Sequence, residues 1–128
     1  MSLSLDTVTI DCADPVRLAT FWCEALGYEL DVDPTDDEGA WAKDPSSGTR
    51  GLFFQRVPEA KSGKVRIHLD VRPSGSMAEE VDRLVALGAT VSGRVDVEGS
   101  FWTILLDPEG HEFCVLRGPA DGWAPDTL

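Results

Sequence analysis

Three side chains able to transfer protons or act as nucleophiles lie in two short segments of the second half of the chain. His68 and Asp70 are one residue apart in the segment HLD, and Cys114 lies in the segment FCVL. An imidazole titrates near neutral pH, and a neighbouring carboxylate fixes its tautomer and raises its basicity. We therefore predict that His68 is a general base with Asp70 as its partner. The alternative is a structural histidine, because side chains two residues apart on a strand are separated by about 6–7 Å.

Cysteine offers a second chemistry at the same place. Cys114 is either a nucleophile that uses His68 as its base or a small buried apolar residue. The other two cysteines, Cys12 and Cys23, fall on apolar faces of predicted elements and are assigned to the core. An odd number of cysteines without C-x-x-C spacing indicates reduced thiols and a cytoplasmic protein. The second histidine, His111, follows a tight turn and is expected to be exposed.

The segments around these residues alternate in polarity, which is typical of strands with one buried face. In Thr7–Cys12 the residues Val8 and Ile10 form an apolar face, so the residues between them point to the opposite side. Polar groups on that side are expected to meet a ligand or to be paired. The predicted ligand-binding face consists of Thr7, Thr9, Asp11, Phe53, Gln55, Arg66, Glu112 and Cys114, together with the catalytic candidates His68 and Asp70.

Aromatic and acidic side chains indicate what such a face would bind. Trp41 and Trp102 lie on corresponding predicted strands, where they either stack against a planar ligand or fill the core. Asp11 and Asp70 would attract a cationic group, and neighbouring arginines would offset that attraction. We include both tryptophans among the predicted ligand-binding residues and expect a small, partly aromatic ligand.

The chain contains an internal repeat with a constant offset of 61 residues. Leu26-Gly27 recurs as Leu87-Gly88, and Trp41 recurs as Trp102. Each copy reads as one strand, one helix and three strands. The repeat therefore predicts an α+β fold in which two tandem βαβββ modules form a curved sheet around a cleft, the kind of place that ligands favour. We expect one domain over residues 1–128, with modules at about 5–57 and 65–117 and a tail at 118–128.

Capping residues and alternation give the expected bounds of several elements. Asp14-Pro15 begins the first helix, which Gly27 ends, and the capping box Ser76-Met-Ala-Glu79 begins the second helix. Val65–Arg72 is predicted to be the first strand of the second module. Asp44–Gly48 is predicted to be a hairpin loop. Trp123 is a candidate anchor for the tail.

Composition excludes several classes of partner. The 128 residues carry 11 basic and 23 acidic side chains, a net charge of −12. This charge repels phosphodiester backbones and anionic lipids, so we predict neither a nucleic-acid nor a membrane partner. No stretch approaches the roughly 20 apolar residues of a membrane span, and the first residues lack the pattern of a secretory signal.

Several segments carry a family resemblance: Thr7–Asp14, Phe21-Trp22, Leu26-Gly27, His68–Val71, Leu87-Gly88-Ala89, Asp107–Gly110 and Phe113–Leu116. Together they resemble the vicinal oxygen chelate superfamily, which includes glyoxalase I, extradiol dioxygenases and bleomycin-resistance proteins. The resemblance covers about residues 5–117 and is greatest to small, single-domain glyoxalase-like members. It implies a homodimer.

The resemblance also implies four positions for metal ligands, one near the start and one near the end of each module. In this chain those positions hold Thr7, Phe53, His68 and Cys114. Phenylalanine cannot coordinate a metal and a neutral threonine is a poor ligand, whereas a catalytic zinc takes three protein ligands. We therefore predict no bound metal and no cofactor.

The sequence allows three functions. The first is a metal-independent small-molecule binding protein of the glyoxalase and bleomycin-resistance type. The second is a glyoxalase-like lyase or isomerase that uses His68 as general base. The third, a module that binds only a protein partner, would have a cleft filled by its own side chains.

Overall fold

The chain folds into two compact units that divide between Ser62 and Gly63. The computed structural model describes residues 2–46 and 49–125, so part of the predicted loop Asp44–Gly48 lies outside the described residues. Each unit contains one four-stranded mixed sheet and one α-helix, which confirms the α+β class and the tandem βαβββ modules. Within the described residues, no helix is long and apolar enough to cross a membrane.

The first unit has a sheet with the strand order β1-β4-β3-β2, in which β1 is parallel to β4 and the other pairs are antiparallel. Helix α1 has the predicted caps: Asp14 accepts a hydrogen bond from the Arg17 amide, and Gly27 adopts a left-handed φ of 71°. Leu18, Ala19 and Trp22 are buried on this helix. The elements are β1 (Thr7–Cys12), α1 (Pro15–Leu26), β2 (Glu29–Asp31), β3 (Gly39–Lys43) and β4 (Gly51–Arg56).

The second unit repeats this arrangement with the strand order β5-β8-β7-β6. Ser76 caps the second helix as the sequence predicts, by accepting a hydrogen bond from the Glu79 amide. Leu84, Phe113 and Val115 form its fully buried core. The elements are β5 (Asp70–Val71), α2 (Met77–Leu87), β6 (Thr90–Val97), β7 (Ser100–Leu106), β8 (Glu112–Leu116) and a 3₁₀ helix (Pro119–Asp121).

The predicted strand Val65–Arg72 is wrong over most of its length. Only Asp70–Val71 forms a strand, and Ile67, predicted to lie on an apolar face, is 82% exposed. The amide of Val65 donates to the Glu112 side chain at 2.8 Å rather than to a backbone carbonyl. Backbone pairing with β8 begins at the Leu69 carbonyl, which accepts from the Cys114 amide at 2.9 Å.

The 61-residue repeat holds for the parallel strand pairs and fails for one hairpin. Thr9 pairs with Phe53 in the first unit, and their counterparts Asp70 and Cys114 pair in the second. In the hairpins, however, Trp41 lies opposite Phe53 whereas Trp102 lies opposite Leu116. The connection between β3 and β4 spans residues 44–50 and that between β7 and β8 spans 107–111, two residues fewer. This shorter turn shifts β7 by two positions, so the two tryptophans are not equivalent.

The shorter turn is held by a buried carboxylate. Asp107 accepts hydrogen bonds from the amides of Glu109 and His111, and its second oxygen lies 3.0 Å from His111 Nδ1. The His111 side chain is only 16% exposed, so the expectation that it is exposed is wrong. The imidazole contacts the Asp107 carboxylate within the turn, and His111 is therefore a structural histidine.

Candidate functional site

The predicted catalytic residues meet at the edge where β5 pairs with β8. Nδ1 of His68 lies 2.9 Å from Oδ1 of Asp70, and Sγ of Cys114 lies 4.0 Å from the same nitrogen. Two residues on a regular strand would be too far apart for this contact. His68 reaches Asp70 because it precedes the short strand β5 and its backbone is not extended in the sheet. The structure thus brings together three groups that the sequence could only propose as neighbours.

Burial differs sharply within this group. The side chains of His68 and Asp70 are 41% and 48% exposed, whereas Cys114 is only 7% exposed. Burial, followed by the Asp70 carboxylate that accepts its hydrogen bond, raises the pKa of the Cys114 thiol to about 11, and the nearby Lys64 ammonium only partly offsets this. At neutral pH only about one thiol in ten thousand would then be ionised. This argues against a free thiolate nucleophile at Cys114.

A cavity of about 550 Å³ opens beside the three residues, and residues of the second unit alone line it. Its floor is the sheet face opposite α2, where Cys114 and Leu116 of β8 lie beside Trp102 and Ile104 of β7. Phe101 adds a further aromatic ring to the wall. The cavity therefore combines an apolar surface with the polar group formed by His68, Asp70 and Cys114.

The tail supplies one wall of this cavity. The Trp123 indole lines it, and the Arg72 guanidinium lies 4.0 Å from the ring centroid. Asp121 holds the tail in place by accepting hydrogen bonds from the amides of Met77 and Gly118, which lower the pKa of its carboxyl. Sequence reasoning missed Trp123 as a site residue. Its only signal was a large aromatic side chain in a segment otherwise rich in Gly, Pro and Asp.

Charges of both signs surround the cavity in equal number. Lys64, Arg72 and Arg117 are opposed by Asp70, Glu98 and Glu112. Glu112 also accepts the Val65 amide, so part of its role is structural. The predicted preference for a cationic ligand gains no support from this balance. Arg66, predicted to face the ligand, is exposed and is not among the lining residues.

The remaining predicted residues share one face of the first unit's sheet. Trp41 and Phe53 are in contact, with ring centroids 4.7 Å apart, and the Arg50 guanidinium lies 4.8 Å from the Trp41 ring. Gln55 donates to Asp11 at 3.2 Å. On β1, Thr9 is exposed, and the Thr7 hydroxyl donates to Asp6 at 2.6 Å. A cleft shared by both sheets stays a prediction.

Comparison with known proteins gives the family. A model of the glyoxalase-like domain matches residues 7–116 of the 128-residue chain. The chain belongs to the glyoxalase-like domain family. No curated protein matches its sequence with significance.

Solved structures of glyoxalase-like proteins share this fold at low sequence identity. A glyoxalase/bleomycin resistance protein/dioxygenase family enzyme from Burkholderia phytofirmans has a TM-score of 0.71 at 16% identity, covering 89% of this chain and 98% of that one. A glyoxalase-related enzyme from Fulvimarina pelagi has a TM-score of 0.66 at 19% identity, covering 91% and 88%.

A fosfomycin resistance protein of Listeria monocytogenes, solved with Mn(II) and 1S,2S-dihydroxypropylphosphonic acid, has a TM-score of 0.71 at 16% identity and covers 92% of each chain. At these identities the likeness shows the fold alone.

The four metal positions implied for a glyoxalase-like domain do not fit the side chains present here. Phe53 has no donor atom and packs against Trp41. The Thr7 hydroxyl is engaged by Asp6. Only His68 and Cys114 of that set carry good ligand atoms, and both belong to the second unit. A metal held as the family pattern requires is therefore not supported by the chemistry of this donor set.

Proposed function

We propose that this glyoxalase-like domain is a small-molecule binding protein whose ligand occupies the cavity of the second unit. The observation that carries the proposal is the cavity itself. Its volume of about 550 Å³ falls in the range of small-molecule sites, and its lining combines aromatic walls with a few polar groups. A cavity filled by its own side chains, as the protein-partner alternative expects, would not leave this space.

The lining supports a planar ligand without net charge. Trp102, Phe101 and Trp123 offer ring faces, and His68 and Asp70 offer a hydrogen-bonding edge. Equal numbers of acidic and basic groups favour a neutral or zwitterionic molecule over a strongly charged one. The cytoplasmic location and the homodimer stay predictions. Light scattering of the purified protein would test the dimer.

Ligand screening with matched tryptophan variants tests the proposal. Neutral, zwitterionic and cationic aromatic compounds would be screened by thermal shift, and hits measured by calorimetry. Trp102→Ala should weaken binding of a hit by at least about tenfold, because it removes a ring face from the cavity. Trp41→Ala, in the first unit, is the matched control and should bind normally. Hits that bind both variants with unchanged affinity would contradict the proposed cavity.

A second candidate function is favoured by the 2.9 Å contact between His68 and Asp70. This geometry suits a general base that removes a proton beside a carbonyl group, as a lyase or isomerase requires. Carbonyl compounds would be incubated with the protein in D₂O and followed by NMR. The enzyme hypothesis predicts deuterium incorporation that His68→Gln abolishes without lowering the melting temperature. Ligands that bind but remain chemically unchanged would favour the binding protein.

A further inference from the structure

We propose that His68, Asp70 and Cys114 form a three-ligand site for a borderline divalent cation such as Zn²⁺, built by the second unit alone. The site goes beyond the proposed small-molecule function and needs neither Thr7 nor Phe53. It adds Asp70, a residue outside the implied ligand set. The observation behind it is that one potential ligand atom from each of the three side chains lies within 4.8 Å of the others.

The donor chemistry suits zinc. Thiolate sulfur, imidazole nitrogen and carboxylate oxygen all bind Zn²⁺, with metal–ligand distances of about 2.3, 2.0 and 2.0–2.2 Å respectively. A thiolate and a carboxylate together offset the two charges of the cation. Hard cations such as Mg²⁺ prefer oxygen ligands, so this set favours zinc or cobalt over magnesium or calcium.

The spacing of the donors is near that of a tetrahedral centre. The bond lengths above place any two donors about 3.2–3.6 Å apart around a tetrahedral zinc. The observed separations are 2.9 Å between His68 Nδ1 and Asp70 Oδ1 and 4.0 Å between His68 Nδ1 and Cys114 Sγ. These two separations lie on either side of the required range, and all three donors lie within 4.8 Å of one another. Rotation of the side chains must therefore draw the Asp70 carboxylate and the Cys114 sulfur together to complete the geometry.

The backbone holds two of the ligands in place before any metal arrives. Asp70 and Cys114 are partners in the parallel pair of β5 and β8, and the Cys114 amide donates to the Leu69 carbonyl beside them. His68 and Asp70 are about half exposed toward solvent and line the cavity, as Cys114 does. A cation can therefore reach the site from the cavity. The coordination position that the three side chains leave open would face the cavity.

The proton balance of binding is simple. The metal takes the place of the thiol proton of Cys114, which is released to solvent. A proton on His68 Nδ1 moves to Nε2, so the imidazole stays neutral and coordinates through the nitrogen that faces the other two donors. Asp70 exchanges its hydrogen bonds for a metal bond. The Lys64 ammonium repels the cation, and the Glu98 and Glu112 carboxylates of the cavity attract it.

Metal titration of untagged protein tests the site without any activity assay. After removal of metals with EDTA, the protein would be titrated with Co²⁺, read by absorption, and with Zn²⁺, read by dialysis and elemental analysis. We expect about one equivalent of metal and a thiolate-to-cobalt charge-transfer band with visible bands of a tetrahedral centre. Cys114→Ala should abolish the charge-transfer band. His68→Gln and Asp70→Asn should weaken binding by about a hundredfold.

Matched controls come from the same residue types elsewhere in the chain. Cys23→Ala removes a buried cysteine of the first unit, and His111→Ala removes a histidine whose Nδ1 is held by Asp107. Both should leave the cobalt spectrum unchanged. Far-ultraviolet circular dichroism checks the fold of each variant. If the buried substitution Cys114→Ala is unstable, His68→Gln still tests the site, because the His68 side chain is about half exposed.

Failure to bind Zn²⁺ or Co²⁺ would overturn the proposal. So would a cobalt spectrum without thiolate character, or binding that Cys114→Ala and His68→Gln leave intact. Repeating the ligand screen on EDTA-treated protein separates this result from the proposed small-molecule function.

Discussion

Asp70 lies directly opposite Cys114 in the parallel pair of β5 and β8, at the register position that Thr9 and Phe53 occupy in the pair of β1 and β4. The backbone pairing is the same in the two units, but the side chains at this position differ in chemistry. In the second unit the pair brings a carboxylate and a thiol to one place, where His68 joins them. In the first unit the same position carries a hydroxyl and a phenyl ring. The two units thus share a strand pairing, and only the side chains of the second unit form the candidate site.

The tail contact should contribute measurably to stability. Asp121 accepts a hydrogen bond from the Met77 amide at 2.7 Å, at the positive end of α2. Asp121→Ala is expected to lower the free energy of unfolding by about 1–2 kcal/mol, because it leaves the amides of Met77 and Gly118 without this acceptor. Urea denaturation followed by circular dichroism measures this. Asp82→Ala, an exposed substitution on the same helix, is the control and should change stability little.

The contribution of Asp121 should depend on pH in a defined direction. Hydrogen bonds from Gly118 and Met77 lower its pKa in the folded protein, and Arg94 and Arg117 act in the same direction. A lowered folded pKa means that the stabilisation is complete above the usual aspartate pKa of about 4 and is lost as the pH falls through the folded value. The difference in stability between the wild type and Asp121→Asn should therefore be constant from pH 5 to 7, where the Asp121 carboxyl is ionised, and should shrink below about pH 4. A difference that grows in acid would contradict it.

The irregular segment before β5 should depend on Glu112. Its side chain accepts the Val65 amide at 2.8 Å, in place of a ladder bond. Glu112→Ala should speed hydrogen exchange of the Val65 amide by about tenfold, since a hydrogen bond to a charged acceptor is lost. Exchange measured by NMR reports this amide individually. Glu98→Ala removes another carboxylate of the cavity and should leave the Val65 amide unaffected.

The hairpin of the first unit should be intolerant of a side chain at Gly51. This residue has a φ of +103°, and an added Cβ would overlap the carbonyl oxygen of Ala42. Gly51→Ala should lower the free energy of unfolding by about 2–4 kcal/mol, from backbone strain and steric overlap together. Gly27 also has a positive φ, of +71°, but an added Cβ there would meet open space, so Gly27→Ala is the control. This control should cost only about 1 kcal/mol, and equal losses in thermal unfolding would show that overlap at Gly51 is unimportant.

The sequence alone determined the elements whose ends are set by local chemistry. Helix caps lie where capping preferences place them, at Asp14, Gly27 and Ser76, because a cap satisfies backbone groups within one turn. The repeat likewise predicted that both units share one topology. Alternation in β1 identified the face that carries Thr9 and Asp11, since a strand's side chains alternate regardless of what lies around it.

Only the tertiary structure decided where distant segments meet. Glu112 binds the Val65 amide, 47 residues away in the chain, and a turn two residues shorter moves Trp102 out of register with Trp41. Trp123 reaches the cavity because Asp121 ties the tail to the start of α2. None of these outcomes follows from local periodicity, because each depends on competition between side-chain and backbone partners that only the folded chain brings together. His68 touches Asp70 for the same reason: its backbone leaves the strand that alternation predicted for it.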